Sequence, residues 1–343
     1  MKKTLIALAV LGSVAGVAQA QSSLQVYGIV DLWVGSVKAN GPRFNDPDAE
    51  PPFVAPAVGS KATTKLDAGG VSPNRIGFKG TEDLGGGLKA NFVLEQGFSA
   101  DTGAANGGFD RQSWVGVSGG FGEVQLGNSY AAYDDISGAA FTSFDSALSA
   151  EAFVFNSTGY TARPKNNIKY ISPSFGGFSG AVSYSLDESN ATKANITSFQ
   201  GQYANGPLMV GVAHQIDTAA AGFDPRFTRV NAAYDLGVAT VLVNYGLVSQ
   251  TETLAPKTTN KTNEFSIGAN VPMGALTLSG GVAYSKDNAV AGGEKRTGVS
   301  LAGSYALSKR TSVYGGLNVA KGKTDGVKTS EASLYAVGLR HAF

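Results

Sequence analysis

The chain reads as all-β: a sixteen-stranded antiparallel transmembrane β-barrel with long loops at one end and short turns at the other. Three observations predict it. Stretch after stretch alternates bulky apolar with small or polar side chains, which is the period of a strand. Between the stretches, tight Gly/Pro/Asn/Asp turns take turns with longer polar connections. And the chain stops on an aromatic ring. LYAVGLRHAF puts Tyr335, Val337, Leu339, His341 and Phe343 on one parity, and Ala336, Gly338, Arg340 and Ala342 on the other. Termini usually fray, so a patterned final strand implies a partner that holds it.

The first element is not part of the barrel. In MKKTLIALAVLGSVAGVAQA, Lys2 and Lys3 give a positive start, Leu5 to Val17 an apolar stretch, and Ala18-Gln19-Ala20 a small-x-small exit. This is the pattern of a secretory signal peptide, expected over 1–20 with cleavage between Ala20 and Gln21, which leaves 21–343 as the barrel. No later apolar run reaches the ~20 residues of a membrane-spanning helix. Without Lys2 and Lys3, 25 basic residues (27 − 2) stand against 26 acidic ones. The absence of a basic excess argues against nucleic acid as a partner. With no cysteine, stability does not come from disulfides.

The strands follow in order. SLQVYGIVDLWVGSV (Ser23–Val37) is the first and is expected to close the cylinder against the last. FSGAVSYSL sets Phe178, Val182, Tyr184 and Leu186 against Ser179, Ala181, Ser183 and Ser185. LTLSGGVAYS sets Leu276, Leu278, Val282 and Tyr284 against Thr277, Ser279, Ala283 and Ser285, and SVYGGLNVA repeats the pattern. Seven short turns are legible at 81–87, 118–122, 172–177, 204–207, 235–237, 271–274 and 307–310. Eight longer connections fall near 39–71, 101–108, 130–162, 188–194, 218–225, 249–261, 287–294 and 321–330, and together they join sixteen strands. A β-sandwich of this length would split into domains, but the pattern has no linker-like break. Tyr170, Tyr184, Tyr234, Tyr245, Tyr284, Tyr305 and Phe343 sit near strand ends on the bulky face, as rings do at membrane interfaces. Strands in lipid must pair every backbone group, which requires closure.

With the bulky parity facing lipid, the other parity faces water. Arg75 and Lys79 then point inward, as do Lys89, Asn91 and Glu95; Arg163, Lys165, Asn167 and Lys169; and Arg229, Arg296 and Arg340. Arg111 shares parity with Val115 and Val117, so alternation alone turns it outward unless a bulge intervenes. The 130–162 connection carries Asp134, Asp135, Asp145 and Glu151. Loops of that length are uncommon without a function.

NRIGFKGTEDLGGGLKANFVLE (74–95), SGGFGEVQLG (118–127), RPKNNIKYISPSFGGFSG (163–180), LSKRTSVYG (307–315) and GLRHAF (338–343) resemble the Gram-negative general porins of the betaproteobacterial and neisserial trimeric type. The resemblance implies a homotrimer in outer-membrane lipid, each barrel with its third long loop folded into the lumen. It implies that Arg75, Arg111 and Arg163 form the basic wall of a constriction, facing Asp134, Asp135, Asp145 and Glu151. It also implies that Phe343 is read by the barrel-assembly machinery. A sixteen-stranded barrel is wide enough for a water-filled channel, and a charged ring sorts ions by sign. The expected function is passive diffusion of ions and small hydrophilic solutes, weakly selective and leaning toward anions. The alternative is a substrate-specific channel for a sugar or organic anion. His214 and His341 lie on different strands without metal-type neighbours, so no metal, cofactor or enzymatic reaction is expected.

Overall fold

The computed structural model describes residues 23–40, 61–188, 194–218, 223–252, 259–288 and 293–343. The expected signal peptide and the greater part of the first long connection lie outside the described residues. The strands are β1 (Ser23–Asn40), β2 (Thr63–Ala68), β3 (Arg75–Gly85), β4 (Leu88–Gly97), β5 (Gln112–Gly119) and β6 (Gly122–Asn128). After a long loop come β7 (Asn167–Ile171), β8 (Phe178–Ser185), β9 (Ile196–Asn205), β10 (Leu208–Asp217), β11 (Phe223–Asp235) and β12 (Thr240–Glu252). The chain ends with β13 (Thr259–Met273), β14 (Leu276–Asp287), β15 (Glu294–Ala306), β16 (Thr311–Thr324) and β17 (Val327–Ala342).

Apart from β2 and β3, each strand pairs antiparallel with its neighbour in sequence, and β17 pairs with β1 from Ile29↔Ala342 to Asn40↔Glu331. The sheet is therefore closed. Both β2 and β3 pair with β1, so they are two halves of one stave and the barrel has sixteen. Gly28 and Phe343 exchange both backbone hydrogen bonds at 3.1 Å, so the last residue is held by the ladder.

The interruption at 69–74 has an identifiable cause. Asp31, fully buried on β1, accepts hydrogen bonds from the N–H groups of Val71 (2.9 Å) and Ser72 (2.8 Å) and from the Tyr314 hydroxyl. Pro73 has no N–H to give a ladder. The segment leaves the wall and enters the interior just before Arg75.

All seven expected short turns are present, the tightest being two residues long, as between β3 and β4. The connection expected near 321–330 is different. β16 and β17 run on to Thr324 and Val327 and meet in a two-residue turn at Asp325 (φ 51°) and Gly326 (φ 80°). Positive φ at both central positions is the type I′ geometry whose twist matches the strands. The Lys and Gly residues of this stretch looked like loop because they carry no bulky alternation.

The surface is inverted relative to a soluble protein. Leu301, Val299, Val337 and Leu339 are exposed, while Ser279, Ser285, Ser300 and Asn318 on the opposite parity are buried. All seven predicted interfacial rings are exposed on the outside. On β14, Leu276 stands opposite Tyr305 and Tyr284 lies eight residues on. That is about 27 Å along the strand and roughly 20 Å along the barrel axis at a ~40° tilt, close to the ~25 Å apolar band of outer-membrane barrels.

Candidate functional site

The interior is organised by the loop between β6 and β7, residues 129–166. It crosses the lumen and rests against the wall from β8 to β17. A loop buried this way carries backbone groups that need partners, and the wall supplies them. Ser183, Ser198 and Ser279 accept from the N–H groups of Ala132 (3.0 Å), Tyr133 (2.7 Å) and Ser143 (2.7 Å). Asn244 donates to the Ala140 carbonyl at 2.7 Å, Asn231 to that of Ile136, and Asn318 to those of Ala147 and Ser149. The small polar parity of these strands is thus a row of anchors. Apolar contacts add to it: Leu148 packs with Trp33, Tyr314 and Ala302, while Val154 and Phe155 pack with Ala283 and Ala320. A single helical turn, Asp134–Ser137, presents the first two acids of the loop.

Opposite the loop stands a cluster centred on Glu95, which is almost fully buried. Its Oε1 lies 2.8 Å from Arg111 Nε and 3.9 Å from Arg75 Nη1, and its Oε2 accepts from the Tyr27 hydroxyl at 2.8 Å. Arg111 also donates from Nη2 to the Tyr130 hydroxyl at 2.8 Å, and Arg163 donates to the same oxygen at 3.3 Å with its guanidinium over the Tyr130 ring. Between cluster and loop lies a cavity of about 330 Å³ lined by Arg75 and Arg111 from the wall, by Asp134 and Asp145 from the loop, and by atoms of the buried Arg229. Tyr160 borders it as well and donates to Asp134 Oδ1 at 2.5 Å. Burial and the adjacent Asp134 carboxylate push the Tyr160 hydroxyl well above the ordinary tyrosine range, so it stays a neutral donor.

The predicted residues separate into groups. Arg75 and Arg111 meet at Glu95. Arg111 reaches the lumen because it precedes the first residue of β5 and is free of the strand's alternation: Gln112, not Arg111, stands opposite Glu95 in the register. Arg163 and Lys165 are not on a strand, since β7 begins at Asn167. They line a second cavity of about 810 Å³ with Asn106, Phe109, Asp110 and Asn166, on the loop side of the first. Lys79 is exposed, with its ammonium 5.2 Å from the Tyr27 ring centre. Lys169 points inward and is paired with Asp135 at 2.5 Å. Burial raises the Asp135 carboxyl, an effect this ion pair opposes.

Three inward charges are covered by the loop. Arg229 is fully buried, stacked on Phe141 (4.7 Å) and Phe155 (5.0 Å), and donates to Ser157 Oγ at 2.6 Å. Arg296 is buried and donates to Asn156. Glu151, expected among the acids facing the arginine wall, is instead buried beneath the loop, where Oε2 accepts from Thr142 Oγ1 at 2.8 Å. It sits in a 3-10 turn, Ala150–Phe153, whose direction cannot be read from composition. Sequence reasoning also missed Tyr27, Tyr130, Tyr160 and Asp31. Tyr27 was legible in principle, since it shares the inward parity of Asp31 against outward Val26; the loop tyrosines carried no such signal.

The profile of the Gram-negative porin family matches residues 7–325. Among characterised proteins, the chain is 34% identical to the outer membrane porin protein 32 of Delftia acidovorans, over the full length of both. It is 30% identical to a major outer membrane protein P.IB of Neisseria meningitidis serogroup B, again over both full lengths. Among solved structures it superposes on the anion-selective porin from Comamonas acidovorans with a TM-score of 0.76 and 28% identity, covering 94% of this chain and all of that one.

Proposed function

The chain belongs to the Gram-negative porin family, and on that premise we propose that Arg75 and Arg111, facing Asp134 and Asp145, form the selective constriction of its diffusion pore. The protein is a general diffusion porin of the outer membrane: ions and small hydrophilic solutes cross it down their gradients. The observation that supports the constriction is that Arg75 and Arg111 of the wall border the same lumen cavity as Asp134 and Asp145 of the loop. Opposed charges across a narrow lumen pull anions to one side and cations to the other, and the excess sign sets the preference. Around the second cavity Arg163 and Lys165 outnumber Asp110, which favours anions weakly. The anion selectivity stated for the Comamonas porin supports the same sign. Arg163 and Lys165 act earlier, drawing anions toward the constriction from the loop side.

In this reading the functional unit is a homotrimer, Phe343 is the assembly signal, and 1–20 is removed on export. Planar-bilayer recording under a salt gradient tests it. Conductance steps in groups of three and a reversal potential on the anion side are expected. Saturable flux with block by one solute would replace it with a substrate-specific channel.

A further inference from the structure

Outside the pore, lysines collect on the outer face of the sheet at the loop-side ends of β14 to β17. Lys286 stands opposite Lys295, Lys295 opposite Lys323, and Lys323 opposite Lys328. All four are exposed, and the first three alternate with buried neighbours: Ser285 and Asp287, Glu294 and Arg296, and Gly322. Two acids of this stretch, Asp287 and Glu294, pair in register on the inner face. The outer face therefore carries a file of lysines with like charges directly opposite one another, which destabilises a sheet. At its β17 end Glu331 binds both Lys328 and Lys38. No carboxylate stands opposite Lys286, Lys295 or Lys323 in the register.

The file has a defined depth. Lys286 lies two residues beyond Tyr284 and four beyond Val282, and Lys295 lies four before Val299, all on the lipid-facing parity. Tyrosine at that position marks the edge of the hydrocarbon, so the ammonium groups sit at headgroup level. Adjacent strands are ~4.8 Å apart, so one phosphate reaches two neighbouring lysines, and the file spans roughly 14 Å. The apolar surface of Val282, Val299 and Leu301 continues from it toward the opposite rim, where acyl chains would lie.

We propose that Lys286, Lys295 and Lys323, with Lys328, form a binding site for the phosphate groups of a phosphorylated glycolipid in the leaflet facing the loops. The inference rests on the outer-membrane barrel reading. Basic side chains near a membrane surface contribute about 1 kcal/mol each, so removing three weakens lipid binding about a hundredfold.

The test compares wild type with the triple variant Lys286→Gln/Lys295→Gln/Lys323→Gln in phosphatidylcholine vesicles. The vesicles carry either a bisphosphorylated glucosamine lipid or the same lipid without phosphates. Lipid retained after detergent extraction and the thermal unfolding midpoint are read. Wild type should retain the phosphorylated lipid and unfold at a higher temperature with it, while the triple variant does neither. In phosphatidylcholine alone the variant should unfold no lower than wild type, because repulsion has been removed. A control at the opposite rim, Lys309→Gln/Arg310→Gln, should behave as wild type. Equal retention by the triple variant would overturn the proposal, as would stabilisation by inorganic phosphate alone. So would a changed oligomeric state with unchanged lipid retention, which would assign the file to contact between copies. Unaltered single-channel conductance in the triple variant separates failure of this site from failure of the channel reading.

Discussion

Replacing Arg75 by alanine removes one of the two guanidiniums bordering the constriction. An anion in contact with the guanidinium comes within about 4 Å of its charge. Two unit charges about 4 Å apart interact by about 1 kcal/mol in water. A Debye length of about 8 Å at physiological salt reduces this to roughly 0.6 kcal/mol. An anion loses that stabilisation and a cation is freed of an equal penalty, so the two differ by about 1.2 kcal/mol, or roughly sevenfold in the permeability ratio. In a bilayer under a salt gradient, the reversal potential should move toward the cation side by something on the order of tens of millivolts. Arg75→Glu should move it further in the same direction. Arg75 also donates from Nε to the Pro73 carbonyl at 3.1 Å, so the thermal midpoint of each variant is measured alongside. An unchanged reversal potential in both variants, with the fold intact, refutes the assignment of Arg75 to the constriction.

Arg163→Ala should shift the same potential in the same direction but less, since Arg163 lines the loop-side cavity and not the central one; a shift larger than that of Arg75→Ala would relocate the selective step. Asn318→Ala removes hydrogen bonds to the carbonyls of Ala147 and Ser149. Leaving such buried groups without partners should cost about 1–3 kcal/mol, read as a lower unfolding temperature and noisier open-channel current. Gly28→Val should block closure of the barrel, because a Cβ at Gly28 would stand 2.3 Å from the Phe343 ring and 2.6 Å from the Arg75 carbonyl. Loss of heat-resistant, folded protein on a gel is the expected result.

The barrel was legible because lipid and water each select one parity. Leu301 and Val299 face outward and Ser300 inward for a reason that acts residue by residue, and seven turns announce themselves through Gly, Pro and Asn. Patterning failed where that local rule stops. Arg111 lies one residue outside β5, so its parity carried no information. Arg163 and Lys165 continue an alternation by accident, ahead of where pairing begins at Asn167. The stretch 321–330 looked like loop because its outward face is lysine, not apolar.

The sequence by itself determined a closed antiparallel barrel, its count of staves, and which side chains of the strands face the lumen, since each follows from a period of two and from the need to pair every backbone group in lipid. Only the tertiary structure decided which inward charges meet solution. Arg75 and Arg111 converge on Glu95 across strands, whereas Arg229, Arg296 and Glu151 disappear under a loop held by Ser279, Asn244 and Asn318, residues about 100 or more positions away from those they anchor. The path of that loop is fixed by hydrogen bonds and packing between distant segments, and no local pattern encodes the partner at the far end.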